Sequence, residues 1–257
     1  MIKEEGKRRR GIYLLPNLFT TAALFSGFYA IVAAINGRFE AAAIAIFVAM
    51  LLDGMDGRVA RMTNTQSDFG AEYDSLSDMV SFGLAPALVM YEWALSGMGK
   101  LGWLVAFIYT AAAALRLARF NTQIGTADKQ YFQGLASPSA AAIVAGMVWV
   151  GDVYLPTSKI INMAALVLTL MAGVLMVSNI RYHSFKGIDL RGKVPFVTIL
   201  LVVLGLVLIS YEPPILLFGG FLIYAVSGPI LTLWQLKQRR AERRRQRGEA
   251  SSDTDQP

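Results

Sequence analysis

Residues 51–83 read LLDGMDGRVARMTNTQSDFGAEYDSLSDMVSFG, a stretch in which Asp53 and Asp56 form one pair and Asp74 and Asp78 another, with apolar chain running away on both sides. The members of the pairs are three and four residues apart, so on helices each pair shares a face. The spacing predicts a helical hairpin that brings both pairs together at one end. Ionised carboxylates at the centre of a membrane helix cost about 2.5–3.5 kcal/mol each. Like charges gathered together also repel until protons or cations neutralise them. A hard divalent cation, Mg²⁺ or Mn²⁺, answers both problems and leaves coordination positions for phosphate oxygens. Gly54, Gly57 and Ala60 keep the first helix thin enough for close approach. Arg61, two turns beyond Asp53, offers a forked donor suited to pyrophosphate. Gly70 permits close approach just before the second helix of the hairpin.

The surrounding composition says where such a hairpin lives. Hydrophobic residues make up 55% of the 257 positions and charged residues 16%, against about 25% charged in soluble domains. Eight segments have the apolar character and roughly the length of a spanning helix: about 17–36, 39–62, 71–97, 100–121, 137–151, 158–178, 195–210 and 213–237. The predicted fold is an all-α polytopic transmembrane bundle over residues 17–237. A basic segment precedes it at 1–16, and a basic, then polar, disordered tail follows at 238–257.

With eight spans, the Lys and Arg residues, 24 in all, fall on one side except Arg38, Lys100 and Lys159. The positive-inside rule then puts both termini and the aspartate end in the cytoplasm, for a protein of the inner, cytoplasmic membrane. The polar first ten residues argue against a cleavable leader. The basic tail from Lys237 to Arg247 reads as an orientation signal and a patch for anionic lipid, not as a nucleic-acid site. Cysteine is absent and His183 is the single histidine. Thiolate metal sites and paired-imidazole sites are therefore excluded, which leaves oxygen ligands. His183 reads as a surface residue. An ion or proton pathway is a rival use for membrane carboxylates, although all four sit at one end of the bundle.

Residues 53–78 fit D-x2-D-G-x2-A-R-x8-G-x3-D-x3-D without a departure. This pattern resembles the signature of the CDP-alcohol phosphatidyltransferases. The resemblance implies a membrane transferase that joins a CDP-activated group to an acceptor alcohol and releases CMP. It assigns metal binding to Asp53, Asp56, Asp74 and Asp78, with Asp78 also the general base, and a CDP-lipid role to Gly57, Arg61, Ser67 and Gly70. The upstream LPNLFTTAALFSG, residues 15–27, resembles the family's first-helix segment and adds Asn17, Thr20 and Thr21 to the nucleotide contacts. Three downstream segments, ALRLARFN at 114–121, GLASPSAAA at 134–142 and SNIRYHSFKG at 178–187, resemble the serine-accepting branch, which commonly has proline where this chain has Ala136. They imply CDP-diacylglycerol and L-serine as substrates, and the family resemblance as a whole suggests a homodimer among membrane lipids. Arg116, Arg119, Arg181 and Lys186 would then meet the acceptor, since guanidinium groups suit a carboxylate or a phosphate. Glycerol 3-phosphate or an inositol phosphate is the alternative acceptor.

Overall fold

The computed structural model describes residues 14–63, 65–122, 131–156, 158–183 and 196–253. Helices dominate: α1 (Leu14–Ile35), α2 (Phe39–Thr63), α3 (Asp68–Asp78), α4 (Ala85–Met90), α5 (Lys100–Thr122), α6 (Ser137–Tyr154), α7 (Lys159–Val177), α8 (Phe196–Tyr211) and α9 (Pro213–Asp253). A π-helical segment, Met79–Leu84, joins α3 to α4, and a second one, Tyr91–Leu95, follows. The result is one rod over 68–98. Each stretch expected to be helical is so.

Five helices among the described residues are long and apolar enough to cross a bilayer: Leu15–Ile35, Asp68–Met98, Lys100–Thr122, Lys159–Val177 and Pro213–Thr232. The chain is a multi-pass membrane protein. Of the other three, α2 is interrupted by its own charged residues, and the described part of α8 is 16 residues, about 24 Å against a hydrocarbon core of roughly 30 Å.

Two boundaries differ from the sequence reading. The first helix begins at Leu14, not at 17, because Pro16 sits in its first turn, where a missing N–H leaves no helical bond unmade. At the other end α9 continues to Asp253, where a disordered tail was expected from 238. Arginine, glutamine, glutamate and alanine prevail there, and these are good helix formers.

The packing explains the alanine content. Ala30, Ala33 and Ala34 of α1 and Ala42, Ala43, Ala45 and Ala49 of α2 are all buried, and such short side chains let helix backbones approach closely. Helix α6 runs through the centre, buried continuously from Ala140 to Trp149. The rings of Phe47, Trp149 and Phe221 tie α2, α6 and α9 together, with centroids 5.9 and 6.4 Å apart. Outward faces carry exposed Phe25, Phe28, Leu51, Phe107 and Leu204, as a lipid-facing surface requires.

The sequence reading did not foresee a short antiparallel ribbon, in which β1 (Tyr131–Gln133) pairs with β2 (Arg181–His183). Gly134 follows β1 at φ +79°, and a Cβ there would stand 2.2 Å from the Met176 carbonyl oxygen, so only glycine fits. The Gly134 N–H donates to Ile180 O at 2.9 Å and the Leu135 N–H to Leu175 O at 2.9 Å. The buried Tyr182 packs into the notch at Gly228, and its hydroxyl donates to Ala225 O of α9 at 3.0 Å.

Candidate functional site

The end of α2 and the whole of α3 form the expected hairpin. Ser67 caps α3, its hydroxyl accepting the Gly70 N–H at 3.0 Å. The cap corrects one detail: Gly70 lies within the first turn of α3, not before it. A Cβ on Gly70 would stand 3.1 Å from Ser67 Oγ and 3.5 Å from Asn17 Oδ1, so this glycine lets α1 and α3 meet. On the facing helix, Arg61 is exposed and folds back over Gly57, whose added Cβ would lie 3.7 Å from Arg61 Nη1.

The carboxylates converge. One oxygen from each of Asp53, Asp56 and Asp74 lies within 4.8 Å of the other two, a group able to hold a metal ion. Asp78 stands one turn further along, within hydrogen-bonding reach of Asp53 and in the field of Asp74. Asp56 is buried, and Asp53, Asp74 and Asp78 are partly so. Asp74 Oδ1 is buried with no hydrogen-bond donor among the described residues. A buried acceptor without a donor carries a desolvation cost of about 1–3 kcal/mol or more. A close-set group of hard oxygen ligands with one oxygen unclaimed fits Mg²⁺ or Mn²⁺.

Helix α1 supplies the backing. Thr20 is 3% exposed, and its hydroxyl donates to Asp56 Oδ2 at 2.8 Å. The resemblance implied a nucleotide contact for Thr20; in the structure its hydroxyl meets a carboxylate of the acidic cluster. Thr21 hydrogen-bonds Tyr73 through their hydroxyls at 2.9 Å, and the Ser77 hydroxyl donates to Thr20 O at 3.2 Å. Three hydroxyl-bearing residues thus fasten α3 to α1 alongside the carboxylates.

The three downstream segments, far apart in sequence, meet on the other side. Arg116 Nη1 donates to Ser137 Oγ at 2.7 Å, and Arg119 Nη1 reaches Asn179 Oδ1 at 3.4 Å. The ribbon completes the junction. Arg116 is largely buried, its charge facing Asp78 with Tyr109 and Tyr224 nearby, and its Nε finds no acceptor among the described residues. Asn121 Nδ2 donates to Ser75 Oγ at 2.9 Å, which bonds α5 directly to α3. Of the remaining acceptor residues, the Arg181 backbone belongs to β2; its side chain and all of Lys186 lie outside the described structure. His183 is also in β2, with its side chain undescribed.

Sequence reasoning missed Tyr109, Ser137 and Tyr224, which surround Arg116. A hydroxyl inside an apolar helix was the available signal, because such a group needs a partner.

Comparison with known proteins adds a second line. The family model described as CDP-alcohol phosphatidyltransferase matches residues 13–175. A CDP-diacylglycerol–serine O-phosphatidyltransferase of Helicobacter pylori is 38% identical over 216 residues, covering 84% of this chain and 90% of that protein. The protein of the same name from Mycobacterium bovis is 40% identical over 152 residues, 57% of this chain and 52% of its own length. An archaetidylserine synthase of Methanothermobacter thermautotrophicus is 34% identical over 183 residues, 70% of this chain and 74% of that protein.

Proposed function

Because the chain belongs to the CDP-alcohol phosphatidyltransferase family, we propose that it transfers the phosphatidyl group of CDP-diacylglycerol to L-serine, giving phosphatidylserine and CMP. The observation that carries this reading is the largely buried Arg116, bonded to Ser137 and in the field of Asp78, which gives one site both a cation for the acceptor's carboxylate and a base for its hydroxyl.

In this mechanism Asp53, Asp56, Asp74 and Asp78 would hold Mg²⁺ or Mn²⁺. When bound, the metal neutralises charge on the pyrophosphate and on departing CMP. Arg61, exposed at the rim, meets the pyrophosphate, with Asn17, Thr21, Gly57, Ser67 and Gly70 lining the approach for the CDP headgroup. Arg116 and Arg119 orient the serine carboxylate, and Arg181 and Lys186 add positive charge. Asp78 removes the serine hydroxyl proton, as a positioned general base does. The serine oxygen forms a bond to the phosphorus bearing diacylglycerol as the bond from that phosphorus to CMP breaks.

Eight spans with both termini in the cytoplasm of an inner-membrane protein, and assembly as a homodimer, complete the proposal. The lopsided placement of Lys and Arg supports the orientation. A water-facing carboxylate end also suits the soluble headgroup and serine, while acyl chains stay in lipid.

The test is CMP release by purified protein given CDP-diacylglycerol, Mn²⁺ or Mg²⁺ and one alcohol at a time. Serine is expected to support release that EDTA abolishes and added metal restores. Release with glycerol 3-phosphate or an inositol phosphate but not with serine would overturn the acceptor. Metal-independent turnover would overturn the site.

A further inference from the structure

The helix that carries Asp74 and Asp78 changes its winding at the residue after Asp78. From Met79 to Leu84 the turns are π-helical, and the Ala85 N–H donates to the carbonyl of Val80, five residues back. A π turn is rare, and it appears chiefly as a local widening at functional sites. Each α-helical residue turns the chain by about 100°, so one extra residue in a turn swings everything beyond it around the axis. Such a turn persists only where surrounding contacts fix it.

Those contacts come from two walls. On the α1 side, the Ser81 hydroxyl donates to Ala23 O at 3.1 Å. Gly27 lets α1 press so close that an added Cβ would lie 2.7 Å from Ser81 Cα. On the α5 side, Tyr109 is fully buried and its hydroxyl donates to the carbonyl oxygen of Phe82 at 3.0 Å. Gly83 lies against the same helix, its added Cβ 3.2 Å from Ala113 Cβ. Tyr109 also stands in the field of Arg116, two turns along α5, which itself faces Asp78. The tyrosine is the one hydroxyl on α5 that grips the widened turn among the described residues.

We propose that Tyr109 is a positioning residue for the transfer: by holding the Phe82 carbonyl it fixes the π turn beyond Asp78, and so sets where the Asp78 carboxylate stands against Arg116. The inference rests on the transferase reading, in which Asp78 is the base. In this reading Tyr109 acts through the Phe82 carbonyl and not on substrate or metal. Its effect is confined to the placement of a group that acts in the chemical step.

The experiment is a double-mutant cycle on full-length protein, with Tyr109→Phe, Asp78→Asn and the pair, read as CMP release with labelled CDP-diacylglycerol. Tyr109→Phe removes one hydroxyl and keeps the ring's volume. It is expected to lower kcat about tenfold, the scale of one lost hydrogen bond and a slightly misplaced base. KM for serine, KM for CDP-diacylglycerol and the half-activating metal concentration stay unchanged. In the Asp78→Asn background the same substitution should change the residual rate by less than about twofold, because residues acting as a unit are not additive. Ser81→Ala, which cuts the tie on the α1 wall, should show the same split of kcat from KM and serves if Tyr109→Phe fails to fold. An unchanged kcat, a rise in either KM, or equal losses in both backgrounds would overturn the assignment. Wild-type protein that releases no CMP with serine would overturn the transferase reading itself, and the inference with it.

Discussion

At the scale of single residues, the chemistry depends on what stands behind each carboxylate. Asp56 is held by the Thr20 hydroxyl at 2.8 Å. Partners that orient a metal ligand are typically worth 10–100-fold in metal affinity or activity. Thr20→Val keeps the shape and removes the donor. A metal titration of CMP release should therefore show the half-activating concentration raised about tenfold, while Thr20→Ser retains most of the wild-type response. The same logic applies to Arg116, whose forked head donates to Ser137 Oγ while its charge lies in the field of Asp78. Lysine keeps the charge and loses the fork. Arg116→Lys is expected to raise KM for serine about tenfold with KM for CDP-diacylglycerol unchanged. Steady-state kinetics in each substrate checks this, and equal rises in both would show that Arg116 does not favour the acceptor. The four aspartates were legible in the sequence because helical spacing is local information. The role of Thr20 was not. It faces Asp56 across 36 residues, and no local pattern encodes which carboxylate a buried hydroxyl meets.

At the scale of elements, periodicity and apolar length located the helices, and the hairpin of α2 and α3 followed from the spacing of its acids. The ribbon of β1 and β2 escaped because three-residue strands carry no readable alternation and pair only when α5, α7 and α9 hold them together. Gly134 is the point where that junction is most exposed to substitution. At φ +79°, with the Met176 carbonyl in the way of any Cβ, alanine meets both backbone strain and a clash. Gly134→Ala should cost about 1–3 kcal/mol, measured as a lower midpoint of thermal unfolding in detergent. The loss should extend to serine turnover more than to CDP binding, since the ribbon links Ser137 and Asn179 to the two arginines. Gly205, in α8, has nothing within 4 Å of an added Cβ, so Gly205→Ala serves as the control and should leave both unchanged. The widened turn after Asp78 was equally hidden. Met79–Leu84 reads as ordinary helix by composition, and only its packing between α1 and α5 selects the wider winding.

At the scale of the whole molecule, the question is how often the chain crosses the bilayer, and charge and hydropathy give different answers. Five helices among the described residues are long and apolar enough to cross; the eight proposed include α2, α6 and α8. An odd number puts the termini on opposite sides, and eight puts them on the same side. In α2 the charged residues at the site, Asp53, Asp56, Arg58 and Arg61, crowd the end that meets α3, while the apolar run from Ala41 to Leu52 precedes them. The charged end of α2 lowers its mean hydropathy, and the proposed function gives those charges a use in holding metal and substrate. Because the protein has no cysteine, single cysteines can settle its topology without background. Ser251→Cys near the end of α9 and Gly97→Cys after the second π segment should lie on opposite sides. In inside-out vesicles an impermeant maleimide is expected to label Ser251→Cys and not Gly97→Cys, with the pattern reversed in right-side-out vesicles. Thr63→Cys, at the aspartate end of α2, should label with Ser251→Cys. If Ser251→Cys and Thr63→Cys fall on different sides, an odd number of crossings separates them. The eight-span arrangement then fails, and with it the placement of both termini beside the active site.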